Sequence, residues 1–144
     1  MLSKYFSLAE LTKSSYAARL GIDNVPTGQN LINLKAAALK MDEVRKLLGK
    51  PIYISSGYRC PEVNAAVGGS KTSTHLTGEA FDFTCPEFGT VAQVFEAIRK
   101  SPLRYDQLLN EYQQWCHIGF GKQLRHQQLN VKRINGKTVY EVAK

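Results

Sequence analysis

Residues 55–83 read SSGYRCPEVNAAVGGSKTSTHLTGEAFDF, and the fold and the site that we predict both depend on this stretch. The alternation from Ala80 to Phe83 predicts a β-strand, because successive side chains of a strand project to opposite faces of the sheet. Asp82 therefore lies on the face opposite the two phenylalanines. His75 comes seven residues earlier, and Gly78 allows a tight turn between them. The stretch predicts a glycine-rich loop that leads into a strand and brings two candidate metal ligands together.

The chain has 144 residues, of which 43% are hydrophobic and 22% charged, a balance typical of a soluble globular protein. This length predicts one domain over residues 1–144 with a single hydrophobic core. Within it we distinguish a helical N-terminal part (1–50), a core that holds the candidate site (51–120) and a C-terminal hairpin extension (121–144). The apolar runs are too short to cross a bilayer, so we expect no membrane insertion.

The net charge of +7 favours an anionic partner such as nucleic acid, anionic lipid or an acidic cell-wall polymer. The basic residues are scattered and no nucleic-acid-binding motif accompanies them, so we expect no nucleic acid and a bias toward an anionic substrate. The three cysteines form no CxxC pair, which indicates free thiols rather than a disulfide framework. The first twenty residues lack the apolar core of a secretory signal, so we expect synthesis in the cytoplasm without a signal peptide.

Hydrophobic periodicity and capping signals predict the remaining elements. The predicted helices are residues 8–19, 29–48, 61–66 and about 91–99, and the predicted strands are 52–55, around Asp82, two strands within 105–120 and a last hairpin over 131–142. In the long helix the apolar stripe runs from Leu34 to Leu48 and includes Leu47. We therefore predict an α+β fold in which helices pack on one side of a small, mostly antiparallel sheet.

The segment YDQLLNEYQQWCHIGF, residues 105–120, predicts a β-hairpin. If Glu111 lies opposite Trp115 across a tight turn, Leu109 lies opposite His117. Glu111 and Trp115 then share a face of the sheet with His117. The last hairpin contains Asn135-Gly136, which is the strongest two-residue turn signal.

His75, Asp82 and His117 supply the nitrogen and oxygen donors that zinc prefers, and three such ligands leave a fourth position open for catalysis. The third histidine, His126, lies in a polar stretch that we interpret as exposed. The residues alone leave another interpretation open, since a loop histidine and a strand aspartate are commonly hydrogen-bonded structural groups. The sequence by itself makes the zinc site a hypothesis.

Three blocks of sequence resemble one known family. They are Ser73-x-His75-x-x-Gly78-x-Ala80-x-Asp82, Trp115-Cys116-His117-Ile118, and Ser56-Gly57-Tyr58-Arg59-Cys60-Pro61 with Asn64. In this order they resemble the zinc D-Ala-D-Ala carboxypeptidase family of peptidoglycan peptidases, which shares its fold with the Hedgehog signalling domain. The resemblance covers roughly residues 5–120 and is greatest to small phage endolysin-like members.

The resemblance implies a role for each of several residues. It makes His75, Asp82 and His117 the zinc ligands and Arg59 the group that binds substrate and stabilises negative charge on the carbonyl oxygen. Ser73 would orient the substrate or its own loop. Trp115 is either part of the core or an aromatic wall for the substrate.

One position departs from the family pattern. Many members have an acidic residue three positions before the last histidine, where this chain has Gln114, which cannot act as a base. We predict that Glu111 replaces it, because the expected hairpin register places Glu111 on the face of His117.

We therefore expect a monomeric zinc metallopeptidase that cuts a peptide bond in peptidoglycan stem peptides or cross-links, as a carboxypeptidase or an endopeptidase. Its resemblance to endolysins implies a bacteriolytic hydrolase that acts on the cell wall after release at phage lysis or holin-type export. Because of Gln114, a non-catalytic zinc-binding or structural module of the same fold, such as a virion component, is the alternative. A basic nucleic-acid-binding domain is a third possibility, with only the net charge to support it.

Overall fold

The computed structural model describes all 144 residues and contains a six-stranded sheet with the strand order β1-β2-β4-β3-β5-β6. The strands are β1 (Tyr53–Ser56), β2 (Ala80–Thr84), β3 (Gln107–Glu111), β4 (Trp115–Gly119), β5 (Gln127–Ile134) and β6 (Lys137–Val142). Every neighbouring pair is antiparallel except β3 and β5, which run parallel. The prediction of an α+β fold with a mostly antiparallel sheet is confirmed.

Five α-helices and one 3₁₀-helix accompany the sheet. They are α1 (Leu8–Thr12), α2 (Ser15–Leu20), α3 (Gly28–Leu48), α4 (Pro61–Ala66), the 3₁₀-helix (Thr74–Thr77) and α5 (Val91–Arg99). The predicted bounds of α4 and α5 are confirmed, and α3 begins one residue earlier than expected. No helix combines the length and apolarity that a membrane crossing requires.

The prediction of one helix over residues 8–19 is wrong. Lys13 leaves the helical region with φ −62° and ψ 131°, and the side chain of Ser14 then accepts a hydrogen bond from the Ala17 N–H at 3.2 Å. Ser14 thereby starts a second helix, because serine satisfies exposed N–H groups better as a cap than inside a helix. The chain turns at this point, and the turn brings Lys13 and Ser14 to the rim of the cleft described below.

Two smaller boundaries also differ. The loop that we expected over residues 68–77 ends in the 3₁₀-helix, whose N-cap is Ser73. The first strand spans Tyr53–Ser56 rather than 52–55, because Ile52 is buried in the core ahead of the strand. Both changes lie within the segment that leads toward Arg59 and His75.

The long helix α3 buries most of the predicted apolar stripe against the sheet. The prediction that Leu47 belongs to this stripe is wrong, because Leu47 is 40% exposed. Asp42 on the same helix is buried instead. Its carboxylate accepts hydrogen bonds from the Ser3 hydroxyl at 2.8 Å and from the Tyr5 N–H at 3.2 Å. A buried carboxylate is stable only with such partners, so Asp42 ties the N-terminal segment to the long helix.

The sheet has one face in the core and one open face. Phe81, Phe83 and Ile118 belong to the same buried cluster as Met41 of α3 and Phe95 of α5, so these helices cover one side. Burial of each such side chain contributes about 1.5–3 kcal/mol. By alternation along β2 and β4, Asp82 and His117 lie on the opposite, open face.

Both predicted hairpins form. In the β3–β4 hairpin Glu111 pairs with Trp115 and Leu109 with His117, as expected. Asn135 and Gly136, both with positive φ, connect β5 to β6. Strand β5 is longer than predicted, since it begins at Gln127 and pairs in parallel with β3. The C-terminal hairpin therefore continues the central sheet.

Candidate metal centre and cleft

Asp82 and His117 are direct partners across β2 and β4, and this register places both side chains on the open face. His75 reaches the same point from the 3₁₀-helix. One carboxylate oxygen of Asp82 lies 2.9 Å from Nδ1 of His117 and 3.3 Å from Nε2 of His75. The donor atoms of the three residues all lie within 4.8 Å of one another. The structure thus brings the three candidate ligands together.

The orientation of the His75 ring is set by backbone. Its Nδ1 lies 2.7 Å from the carbonyl oxygen of Gly57, which can only accept, so Nδ1 carries the proton. In the neutral ring the lone pair of Nε2 then faces the carboxylate of Asp82. Metal-bound histidines are commonly held in this way by a hydrogen bond from the other ring nitrogen.

The electrostatics of the cluster favour a cation. Burial lowers the pKa of His75, more strongly than the neighbouring Asp82 raises it. Burial also raises the pKa of Asp82, but the hydrogen bond from His117 and the proximity of the His75 ring outweigh it and hold that pKa well below its ordinary value. A neutral His75 therefore presents a lone pair to an ionised carboxylate, and the two repel each other. A metal ion between them would remove this repulsion. The residues fit a divalent metal such as zinc.

Arg59 lies beside this cluster. Its backbone N–H donates a hydrogen bond to the carbonyl of His75 at 3.0 Å, and its side chain lines the cleft together with His75 and Asp82. Burial lowers the pKa of the Arg59 guanidinium, while the charges of Asp82 and Glu111 raise it. The guanidinium Nε is buried without a hydrogen-bond partner. A buried donor without a partner in a cleft is available to a ligand.

Asn24 positions this arginine. The side-chain amide of Asn24 donates to the carbonyl oxygens of Thr12 at 2.8 Å and Tyr58 at 3.0 Å. Its carbonyl oxygen accepts from the N–H of Cys60 at 2.8 Å. The residues on both sides of Arg59 are therefore held by one buried side chain.

Glu111 is half-buried and lines the same cleft as the three candidate ligands. Burial raises the pKa of its carboxyl group, and the negative charge of Asp82 raises it further. Gln114 lies at an exposed turn and is not among the residues that line the cleft. Glu111 is thus the carboxylate that the β3–β4 hairpin brings to the open face next to His117.

Ser73 and Trp115 also line the cleft. The hydroxyl of Ser73 accepts a hydrogen bond from the N–H of His75 at 3.2 Å, so it stabilises the turn that carries this histidine. The ring of Trp115 packs on Tyr112 at 5.9 Å between centroids, and neither buried cluster of the core includes it. Its indole Nε1 has no hydrogen-bond partner. The alternative of Trp115 as a core residue is not supported.

The cleft has two arms, and all three candidate ligands line the larger one. The larger arm has a volume of about 840 Å³ and runs past Glu111 to the C-terminal hairpin. The smaller arm has a volume of about 310 Å³ and runs toward Lys13 and Tyr16. Arg59, Asp82 and Trp115 line both arms, so the two arms meet at these residues.

Sequence reasoning did not identify several residues of the cleft. Gly57 contributes only a carbonyl oxygen, for which the sequence carries no signal. Gly69 lies so close to the Asn64 amide and the Arg59 guanidinium that a Cβ atom would overlap the Asn64 side chain. Arg133 and Tyr140 line the larger arm from the last hairpin. Their position follows from the parallel pairing of β5 with β3, which the sequence did not reveal.

Comparison with models of known protein families identifies a match. A family model described as Peptidase M15 matches residues 4–119, which include all three candidate ligands, Arg59 and Glu111. No curated protein matches the chain.

Proposed function

The chain belongs to the peptidase M15 family, and from this premise we propose that it is a zinc metallopeptidase that hydrolyses a peptide bond in bacterial peptidoglycan. The observation that carries the proposal is the cluster of His75, Asp82 and His117, in which the Gly57 carbonyl holds His75 with one nitrogen free for a metal. His75 Nε2, an oxygen of Asp82 and a ring nitrogen of His117 would hold the ion. If the cluster were only structural, there would be no need for His75 to direct a lone pair at the carboxylate of Asp82.

When bound, zinc supplies a Lewis acid that polarises the peptide carbonyl and lowers the pKa of water. The surrounding residues supply the rest. Glu111 takes the proton of the attacking water at its carboxylate, for which the raised pKa suits it. Arg59 places its guanidinium where negative charge develops on the carbonyl oxygen, and its burial strengthens this interaction. Trp115 forms an apolar wall against the substrate peptide.

The two-armed cleft favours an endopeptidase over a carboxypeptidase. A carboxypeptidase has to accommodate only one residue beyond the scissile bond, so one side of its metal centre can be closed. Here both arms continue past Arg59, Asp82 and Trp115, which leaves room for peptide on each side of the bond. A stem peptide or a cross-link between two stems extends in both directions and fits this shape.

The charge of the chain agrees with this substrate. Peptidoglycan peptides and wall polymers carry carboxylates and other anionic groups, and the net charge of +7 attracts them at long range. We extend the proposal to an endolysin-like role, in which the protein reaches the cell wall after release at lysis and degrades it. On this proposal the protein is bacteriolytic.

Digestion of purified muropeptides, with mass spectrometry of the products, tests the proposal directly. We expect new amine termini from the wild-type protein with stoichiometric zinc and none from His75→Ala. Cleavage of a peptide whose C-terminal carboxylate is blocked would identify an endopeptidase. Stoichiometric zinc without any new amine terminus would contradict the peptidase activity and favour the non-catalytic zinc-binding module that the Gln114 position suggests.

A further inference from the structure

We propose that Arg133 and Tyr140 of the C-terminal hairpin form a subsite that binds a carboxylate of the peptide substrate, away from the scissile bond. The inference rests on the proposed peptidase function and assigns a role to a segment outside the family match, which ends at residue 119. Both side chains line the larger arm of the cleft, together with His75, Asp82 and Glu111.

The sheet register places this subsite on the face of the metal centre. One row of paired residues runs across the sheet from Trp115 through Glu111 and Val131 to Tyr140. Paired residues project to the same face, so Tyr140 and Glu111 lie on the same side of the sheet. Arg133 is two residues beyond Val131 on β5 and therefore shares that face.

The hairpin is held firmly against the rest of the cleft. Val131 and Leu129 of β5 form a buried apolar cluster with Leu109 of β3, and Tyr112 packs against it. The N–H of Tyr112 donates to the carbonyl of Val131 at 2.9 Å, and the Tyr112 hydroxyl lies 3.3 Å from the hydroxyl of Thr138. Thr138 is the direct partner of Arg133. A subsite on two paired strands keeps its geometry better than one on a loop.

Arg133 differs from the cations around it because it has no partner. Arg125, which also lines the larger arm, donates to both carboxylate oxygens of Asp106, at 2.7 and 3.1 Å. Lys132 projects to the opposite face of the hairpin and pairs with Glu141 at 3.1 Å. Arg133 is exposed and forms neither an ion pair nor a side-chain hydrogen bond in the structure, so its whole guanidinium is available.

A guanidinium with five free donors matches a carboxylate, which it binds through two parallel hydrogen bonds. The ring of Tyr140 is 62% exposed beside it and offers an apolar surface and a hydroxyl to the same residue of the substrate. Asp82 belongs to the metal centre and Glu111 lies beside it. Because both carry negative charge, an anionic group of the substrate is disfavoured between them and favoured at the hairpin.

The position of the subsite predicts where the carboxylate lies along the substrate. His117 and Arg133 are two strands apart, and Arg133 lies four residues along β5 from the row that contains His117. These offsets place their Cα atoms about 16 Å apart. The arginine side chain spans part of that distance, so the carboxylate falls about three residues from the scissile bond in an extended peptide.

Two substrates that differ in one group test the subsite: a muropeptide with a free carboxylate about three residues from the cleaved bond, and the same peptide with a carboxamide there. We expect Arg133→Ala to raise KM for the acid about tenfold, to leave kcat within about twofold, and to leave KM for the amide unchanged. Arg133→Lys should recover part of the loss, because it keeps the charge without the paired donors. Tyr140→Phe should bind better than Tyr140→Ala.

Lys132→Ala is the matched control, since it removes one positive charge from the same strand on the opposite face. We expect it to behave like wild type with both substrates. Equal KM values for acid and amide in the wild-type protein, or an equal effect of Arg133→Ala on both, would contradict the subsite alone. Failure of the wild-type protein to cut either peptide would instead contradict the proposed function and, with it, the subsite.

Discussion

The carbonyl oxygen of Gly57 lies 2.7 Å from Nδ1 of His75, and it decides which nitrogen of that ring faces Asp82. Two residues further on, the N–H of Arg59 donates to the carbonyl of His75 at 3.0 Å. The segment that supplies Arg59 to the cleft therefore also sets the tautomer of a candidate ligand. Any distortion of this segment would affect the metal and the substrate together.

Zinc should stabilise the folded protein, because the site forms only in the native state. At zinc concentrations about a hundredfold above the Kd, binding contributes about 2.7 kcal/mol to the free energy of unfolding. Thermal unfolding before and after chelation, and again after zinc is restored, measures this difference. His75→Ala should lose the response and His126→Ala should keep it, because His126 lies outside the cluster. An equal zinc response in both variants would contradict the proposed ligands.

Glu111→Gln should reduce kcat by about 10²–10⁴-fold, because the amide cannot accept the proton of the attacking water. Bound zinc, measured by metal analysis, should stay stoichiometric. In the wild-type protein, activity should fall as the pH drops through the raised pKa of Glu111, since the base must be ionised. Gln114→Ala is the control, because its side chain is exposed at the turn. Near-normal turnover by Glu111→Gln with zinc bound would show that another group is the base.

Asn24→Ala should lower the free energy of unfolding by roughly 2–4 kcal/mol, because it leaves buried backbone groups on both sides of Arg59 without partners. Urea denaturation measures the loss. Asn24→Asp keeps the acceptor for the Cys60 N–H but lacks the donors, so it should also destabilise the protein. A loss below about 0.5 kcal/mol in Asn24→Ala would mean that these hydrogen bonds contribute little.

Gln113→Gly should stabilise the protein by about 0.5–1 kcal/mol. Gln113 has φ 59° in the β3–β4 turn, a conformation that strains an L-residue and suits glycine. The hydrogen bond from its backbone N–H to Asn110 would remain. Gln113→Ala retains the strain and should show no gain. Chemical denaturation of the two variants side by side gives the comparison, and equal stabilities would show that the turn stores no strain at this residue.

Asp106→Asn should change how stability depends on pH. Hydrogen bonds from Arg125 lower the pKa of Asp106 more strongly than burial raises it. Because the pKa of Asp106 is lower in the folded than in the unfolded protein, its ionised form stabilises the native state at pH values above the unfolded pKa of about 3.9. This contribution disappears as the pH falls through the pKa of the folded protein. Urea midpoints should therefore favour the wild-type protein at pH 7, with a smaller difference near pH 3. The same difference at both pH values would contradict this role for the pair.

Much of the site could be predicted because it depends on local pattern. The alternation around Asp82 places it on the face opposite Phe81 and Phe83, and the hairpin register aligns Leu109 with His117. Both follow from the period of two along a strand, which a short sequence window contains. The position of Glu111 could be predicted for the same reason, since the register alone directs it to the open face.

The features that could not be predicted depend on long-range contacts or on backbone atoms. The partner of His75 is the backbone carbonyl of Gly57. Because every residue has such a carbonyl, the sequence does not show which one His75 uses. The break at Lys13 depends on competition between the Ser14 side-chain cap and a continuous helix. Asp42 is buried because the N-terminal segment folds back onto α3, 37 residues away from Tyr5. Local periodicity carries no information about such partners.

Asp82 and His117 lie 35 residues apart and meet only where β2 pairs with β4. The two hairpins of the sheet are local and close short loops, whereas the pairing of β2 with β4 closes a much longer one and carries a larger entropic cost. A folding intermediate that has only the hairpins therefore has no complete metal site. Acquisition of tight zinc binding during refolding would then report that the central strands have joined and that the 3₁₀-helix has brought His75 to them.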